Sequence, residues 1–223
     1  MEDIIYNAAF VSILQIIAID IILGGDNAIV IALACKNLPE KQRKLGIFYG
    51  ALGAIVLRVI MVFFATTLLM VSGLKIIGGL LLFWIAVKLI LDSNKTNVVN
   101  ISQEKNLIDA VKTIIIADFI MSLDNSVAIA AAANGNMYLV VFGLLLSIPI
   151  IIWGSSLILK FIDKYPIIIY LGSALLGWIA GDMIQTDILI KSNFDLIGNN
   201  VLLPFAGSTF VVISGFLFKS LNK

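Results

Sequence analysis

Asp20-Ile-Ile-Leu-Gly-Gly-Asp-Asn-Ala-Ile-Val-Ile-Ala-Leu-Ala34 places two carboxylates and an amide inside an otherwise apolar segment of helical length. A second version, Asp118-Phe-Ile-Met-Ser-Leu-Asp-Asn-Ser-Val-Ala-Ile-Ala-Ala-Ala132, follows with Asp, Asp and Asn in identical register. The chain therefore reads as two related halves whose chemistry sits where the acidic segments meet.

Composition sets the solvent. Of 223 residues, 61% are hydrophobic and 13% charged, with a mean hydropathy of +1.08, whereas soluble domains are about 45–50% apolar. This is an integral membrane protein, with room for several spans of about 20 residues and none for a separate soluble domain. The start, Met1-Glu2-Asp3, lacks the basic region and small-residue cleavage site of a secretory signal, so the first apolar segment is expected to be retained. A single cysteine, Cys35, excludes an intramolecular disulfide, and the lack of histidine removes the commonest zinc and copper ligand. The net charge of +1 makes no case for nucleic acid as a partner; the lipid bilayer is the partner that composition does imply.

Apolar runs predict seven spans, at roughly 8–34, 45–70, 74–91, 108–133, 137–159, 166–185 and 202–219. Lys36, Lys41, Arg43 and Lys44, then Lys95 and Lys105, then Lys160 and Lys164, then Lys219 and Lys223 fall on one side, which the positive-inside rule makes cytoplasmic. The other side carries the acidic N-terminus, a tight connection at 71–74, the Asn134-Gly135-Asn136 turn, and a loop setting Lys191 against Asp187 and Asp195. The expected topology has the N-terminus outside and the C-terminus inside, in the plasma membrane of a bacterium.

The acidic motif in the first and fourth spans gives three spans per repeat, and an odd number inverts the second copy. Trp84-Ile-Ala-Val-Lys88 answers Trp178-Ile-Ala-Gly-Asp182 in the third spans, each entered through glycines. The fold class expected is all-α: repeat one at about 8–91, a polar linker at about 92–107, repeat two at about 108–185 and an appended helix at about 202–219, in one domain. Secondary transporters recurrently use this plan, with the binding site near the midplane. Gly46 with Gly50 and Gly177 with Gly181 are small-xxx-small pairs that allow close helix contact. Internal packing is their first reading, and a homo-oligomer face the second. Pro149 should kink the fifth span.

Asp20 lies about 18 Å into its span, close to the midplane of a roughly 30 Å core, and Asp118 reaches a similar depth from the other side. Inversion puts Asp26-Asn27 cytoplasmic of the midplane and Asp124-Asn125 external to it. An ionised Asp at a helix centre costs about 2.5–3.5 kcal/mol even on the lenient insertion scale, so four would cost about 10–14 kcal/mol, a burden that implies a use. In an unbroken helix Asp20 and Asn27 share a face while Asp26 points about 120° away. Gly24-Gly25 can unwind the backbone, freeing carbonyls and turning Asp26 toward Asp20; Ser122-Leu123 should leave the second copy more regular. Carboxylate, amide and carbonyl oxygens without sulfur or imidazole suit a hard divalent cation such as Mn²⁺, Mg²⁺ or Ca²⁺. An empty cluster of buried carboxylates favours taking up protons instead, a physical route to metal/proton antiport.

The plainer reading is that these aspartates only pair with Arg58 or hydrogen-bond between helices. One carboxylate would satisfy Arg58, which leaves several unexplained. Lys88 can snorkel to the cytoplasmic surface, or gate. Asp182 is an external gate or a solvated cap.

At Gly24-Gly-Asp-Asn-Ala28 and Ser122-Leu-Asp-Asn-Ser126, with Leu57-Arg58 and Gly177-Trp-Ile-Ala-Gly-Asp182, the sequence resembles the TerC family of integral membrane proteins, and within it the small bacterial seven-span branch often labelled YjbE-type. The resemblance runs over nearly the whole chain. It implies membership of a wider superfamily with the LysE exporters and cation exchangers, and manganese export that protects against manganese excess. Carried over, the motif positions are Asp20, Asp26, Asn27, Asp118, Asp124 and Asn125, which the resemblance implies as metal ligands; Arg58, Lys88 and Asp182 remain, from their own positions, gating or charge-pairing candidates.

The reading is a secondary transporter exporting Mn²⁺ in exchange for protons, without a cofactor, Mn²⁺ being its substrate. The alternatives are a non-transporting membrane partner or stress-response subunit, and an exporter of amino acids or other organic cations. No nucleophile, base and oxyanion-hole set, phosphate loop or nucleotide domain supports an enzyme or a primary pump.

Overall fold

The computed structural model describes residues 2–69, 71–94, 107–133, 135–190 and 201–221. Among them the elements are α1 (Glu2–Leu23), α2 (Gly25–Cys35), α3 (Glu40–Leu69), α4 (Leu74–Asn94), α5 (Leu107–Ala132), α6 (Met137–Lys164), α7 (Ile167–Gln185) and α8 (Leu202–Leu221). No strand occurs among the described residues. The linker expected at 92–107 is narrowed from both sides by α4 and α5; the rest of it lies outside the described residues, as do Lys191 and Asp195.

Each expected span has its helix. Four are long and apolar enough to cross a bilayer: Glu40–Ala65, Leu74–Asp92, Met137–Lys164 and Ile167–Gln185. Two bent pairs, Phe10–Ile22 with Gly25–Cys35 and Leu107–Leu123 with Asn125–Ala132, raise the number to six if each makes one crossing. Leu202–Leu217 is a shorter apolar helix. Phe63, Trp84, Trp153, Phe205 and Phe210 point outward, a surface that water would penalise and lipid solvates. Pro149 sits inside α6 without breaking it.

Packing crosses between the halves. The second helix of each half lies along the acidic segment of the other, α3 on α5 and α6 on α1 and α2, while α4 lies against α7. Glycine makes the crossings close. A methyl on Gly50 of α3 would stand 2.6 Å from Ile114 Cδ1, and one on Gly143 of α6 would stand 2.6 Å from Ile16 Cγ2. Ile16 and Ile114 each precede the first Asp of their motif by one helical turn. The small-xxx-small pairs are likewise filled from within the chain: Gly46 by Cys35 and Leu38, Gly177 by Gly207 and Val211, Gly181 by Leu203 and Pro204. α8 thus rides on α7, with further contact to α4.

Two turns depend on left-handed glycines, Gly73 with φ 86° between α3 and α4 and Gly135 with φ 77° between α5 and α6. The first is tied down from the far half. Asp187, 1% exposed just past α7, accepts from the backbone N–H of Gly73 at 3.0 Å, of Lys75 at 3.1 Å and of Leu189 at 2.9 Å. It therefore closes the unsatisfied N-terminus of α4, which the reading of Asp187 as a loop charge beside Lys191 missed. Burial opposes its charge, but the N–H groups of Leu189, Gly73, Ile76 and Lys75 outweigh burial and hold the carboxyl below the usual carboxylate range.

Two outcomes follow for the purified, detergent-solubilised chain. Gly143→Ala should lower stability to unfolding by about 1–3 kcal/mol through overpacking, and Ile16→Ala in the same chain should recover part of the loss. Asp187→Ala should cost about 0.5–2 kcal/mol at neutral pH, as for a lost helix cap. Because the folded carboxyl titrates below its unfolded value of about 3.9, that contribution is complete above this pH and disappears as pH falls through the folded value. The gap between parent and variant in unfolding midpoint should accordingly close in strongly acidic buffer, and a gap unchanged there would refute the charge-based account.

Candidate functional site

The site begins with a break. α1 ends at Leu23, α2 starts at Gly25, and Phe10–Ile22 meets Gly25–Cys35 at 49°. Gly24, with φ −112° and ψ 11°, leaves the helix here, and Asn27 N–H turns back to Gly24 O at 3.0 Å. No larger residue fits: a methyl on Gly24 would stand 2.9 Å from Asn27 Nδ2, 3.4 Å from Arg58 Nη1, and closer still to the Asp20 carbonyl. Unwinding at Gly24-Gly25 was expected, and so was a more regular second copy: α5 runs unbroken through its motif, though it bends there more sharply. Leu107–Leu123 meets Asn125–Ala132 at 66°. At this bend Ser126 Oγ donates to the Ser122 carbonyl one turn back.

Between the two bends lies Arg58 of α3, 2% exposed. Its Nη1 donates to Asp20 Oδ1, its Nη2 to Asp118 Oδ1 and its Nε to Ser122 Oγ at 3.0 Å. The outer carboxylate oxygens are also engaged. Asp20 Oδ2 accepts from Ser147 Oγ of α6, and Asp118 Oδ2 from Ser122 Oγ at 3.3 Å. One carboxyl would satisfy Arg58; two engage it. A guanidinium fork is the one side chain that can bridge two carboxylates by parallel charge-assisted bonds.

The other motif residues are disposed unequally. Asn27 is 4% exposed, and neither its Oδ1 nor its Nδ2 has a hydrogen-bond partner among the described residues. Such an amide is costly unless something else satisfies it. Asp26 is half-buried, its Oδ1 is also unpartnered, and its carboxylate stands within coulombic reach of Asp118. Asn125 is half-buried, and the Asp124 side chain lies outside the described residues. No three Asp, Glu, His or Cys side chains among the described residues converge as a ready-made metal cage. Asp20 and Asp118 are instead separated by the guanidinium that both hold.

Lys88 is half-buried with its Nζ 5.1 Å from the centre of the outward-facing Trp84 ring, and Asp182 is exposed near the end of α7. Sequence reading missed Ser122 and Ser147. Ser122, one turn after Asp118, carries a local signal; Ser147 carries none, because nothing near it in sequence connects it with Asp20.

The sequence model of the integral membrane protein TerC family matches residues 6–223. Similar proteins include the uncharacterized membrane protein YjbE of Bacillus subtilis, 39% identical over 96% of this chain and 97% of the relative. YceF of the same organism, also an uncharacterized membrane protein, is 28% identical over 74% of this chain and 67% of the relative. The UPF0053 inner membrane protein YgdQ of Escherichia coli is 24% identical over 66% and 69%. No solved structure matches the chain.

The two glycines of the break should respond differently to a methyl group. Gly25 has no neighbour within 4 Å of where its side chain would begin, so Gly25→Ala should fold and behave as the parent. Gly24→Ala should drive Asn27 and the Asp20 carbonyl apart, lowering the unfolding midpoint by about 1–3 kcal/mol equivalent. Equal midpoints for the two variants would refute this geometry.

Proposed function

The chain belongs to the TerC family of integral membrane proteins, and from that premise we propose that it is a secondary transporter moving Mn²⁺ out of the cytoplasm in exchange for protons. The observation that carries the proposal is the buried cluster at the break between α1 and α2: Asp20 and Asp118 both engaged by Arg58, beside an Asn27 amide with no hydrogen-bond partner among the described residues. Ionisable groups at such depth mark ion pathways. Oxygen ligands alone favour a hard divalent cation, and the carboxylates emptied by its release can accept protons for the return step. Asp20, Asp26, Asn27, Asp118, Asp124 and Asn125 are the proposed ligands.

The same proposal holds that the fold is seven spans, two inverted three-helix repeats plus α8, with the N-terminus outside. Its support is the reciprocal packing, above all the matched fit of Gly50 on Ile114 and of Gly143 on Ile16. Discontinuous helices near the midplane also belong to this plan. Its topological support is the run of lysines and Arg43 in alternate loops.

One observation favours a second reading. Arg58 engages both Asp20 and Asp118, as a static clamp in a non-transporting membrane partner would require.

Flux separates the two. In proteoliposomes under an imposed pH gradient, the parent should move Mn²⁺ with Ca²⁺ and Mg²⁺ tested as competitors, and folded Asp26→Asn and Asp124→Asn variants should fall to the rate of empty vesicles. No flux from a well-folded parent would overturn the transporter in favour of the partner, and undiminished flux in both variants would overturn the ligand assignment.

A further inference from the structure

Resting on the transport reading, we propose that Arg58 is the resident counter-cation of the site: it must leave Asp20 and Asp118 when the substrate cation binds, and this exchange selects divalent over monovalent ions. The argument begins with the count of acceptors. All four carboxylate oxygens of Asp20 and Asp118 are engaged, two by Arg58 and one each by Ser147 and Ser122. Arginine offers donors alone, so it cannot itself become a metal ligand. A cation drawing oxygens from both carboxylates therefore has to take the guanidinium's place.

The Asn27 amide lies next to that lock. Asn27 Oδ1 and Asp26 Oδ1 have no hydrogen-bond partner, and Asn27 Nδ2 and Arg58 Nη1 flank the same point above Gly24. A cation can thus dock on free oxygens first and then compete for the locked pair.

Charge decides who wins. A monovalent ion replacing a monovalent guanidinium adds no charge to the cluster and forfeits three arginine hydrogen bonds. A divalent ion adds one positive charge where a negative surplus exists, in surroundings where coulombic terms are strong. When the substrate departs, Arg58 returns and spares the empty protein two bare buried carboxylates, an uncompensated state that burial penalises.

Arg43 and Arg58 are the only arginines in the sequence, and Arg43 pairs with the half-exposed Asp163 at 3.1 Å, away from the buried cluster. An Arg43→Lys chain therefore reports Arg58 alone when its arginine is isotopically labelled in the guanidinium. In infrared difference spectra of this full chain in detergent, Mn²⁺ should shift the labelled guanidinium band, and Na⁺ at equal ionic strength should not. Mn²⁺ binding, followed by electron paramagnetic resonance, is measured on the same samples. In a folded Arg58→Gln variant, Mn²⁺ should bind about tenfold more tightly or better, and Na⁺ should become a competitor. Binding of Mn²⁺ with an unmoved Arg58 band would overturn the exchange and leave the transport reading standing. No binding of Mn²⁺ to the parent would overturn both.

Discussion

One guanidinium held between two carboxylates, with all three out of reach of water, is the constraint around which the rest of the structure is arranged. Ions of this kind are tolerated at membrane depth only when every donor and acceptor is met by protein. Meeting them takes α1 for Asp20, α3 for Arg58, α5 for Asp118 and Ser122, and α6 for Ser147. Four helices must then approach to side-chain length, and lipid supplies no hydrophobic force between them. Close backbone approach at Gly50 and Gly143, with isoleucines seated on the missing side chains, provides the van der Waals contact that does this.

The two glycine crossings are matched in packing, and the motifs beside them are unequal in charge. Ile16 and Ile114 fill matching glycines, yet the arginine exists in α3 alone, so Asp118 shares Ser122 with Arg58 while Asp20 looks to Ser147 across the molecule. The motifs also differ locally. Gly24 opens the first by leaving the helix, whereas the second stays within α5, where Ser126 bonds back to Ser122. Matched glycine contacts can thus frame an asymmetric site, because packing depends on volume and recurs readily, whereas a second buried guanidinium beside Arg58 would add repulsion.

Much of this was legible in the residues. The apolar runs located every described helix, the doubled Asp-Asn motif located the cluster, and Gly24-Gly25 announced the break, since glycine's backbone freedom is a local property. What stayed hidden was pairing at long range. Nothing near Ser147 points to an aspartate 127 residues away, and no rule of spacing says that Arg58 takes two carboxylates instead of one. The bend near Asp124-Asn125 was not expected, because Ser122-Leu123 lacks the glycine pair that signals one. Asp187 was read as a loop charge because its partners, the amides at the start of α4, are backbone groups that any sequence possesses.

Whether the cluster exists to hold helices or to pass ions can be argued from economy of charge. A buried ion pair is weak evidence for stability, since well-packed apolar residues of similar volume do as well or better. If clamping were the need, one carboxylate would neutralise Arg58, and the second adds repulsion and desolvation to no structural end. Nor would a clamp explain Asn27, whose buried amide satisfies nothing in the described structure. A surplus negative charge beside unsatisfied oxygens is a cost that a passing cation removes, and a site meant to release its ion has to keep that cost within reach of repair. On the proposed exchange, Arg58 makes that repair from inside the fold, leaving to protons only the charge it does not cancel.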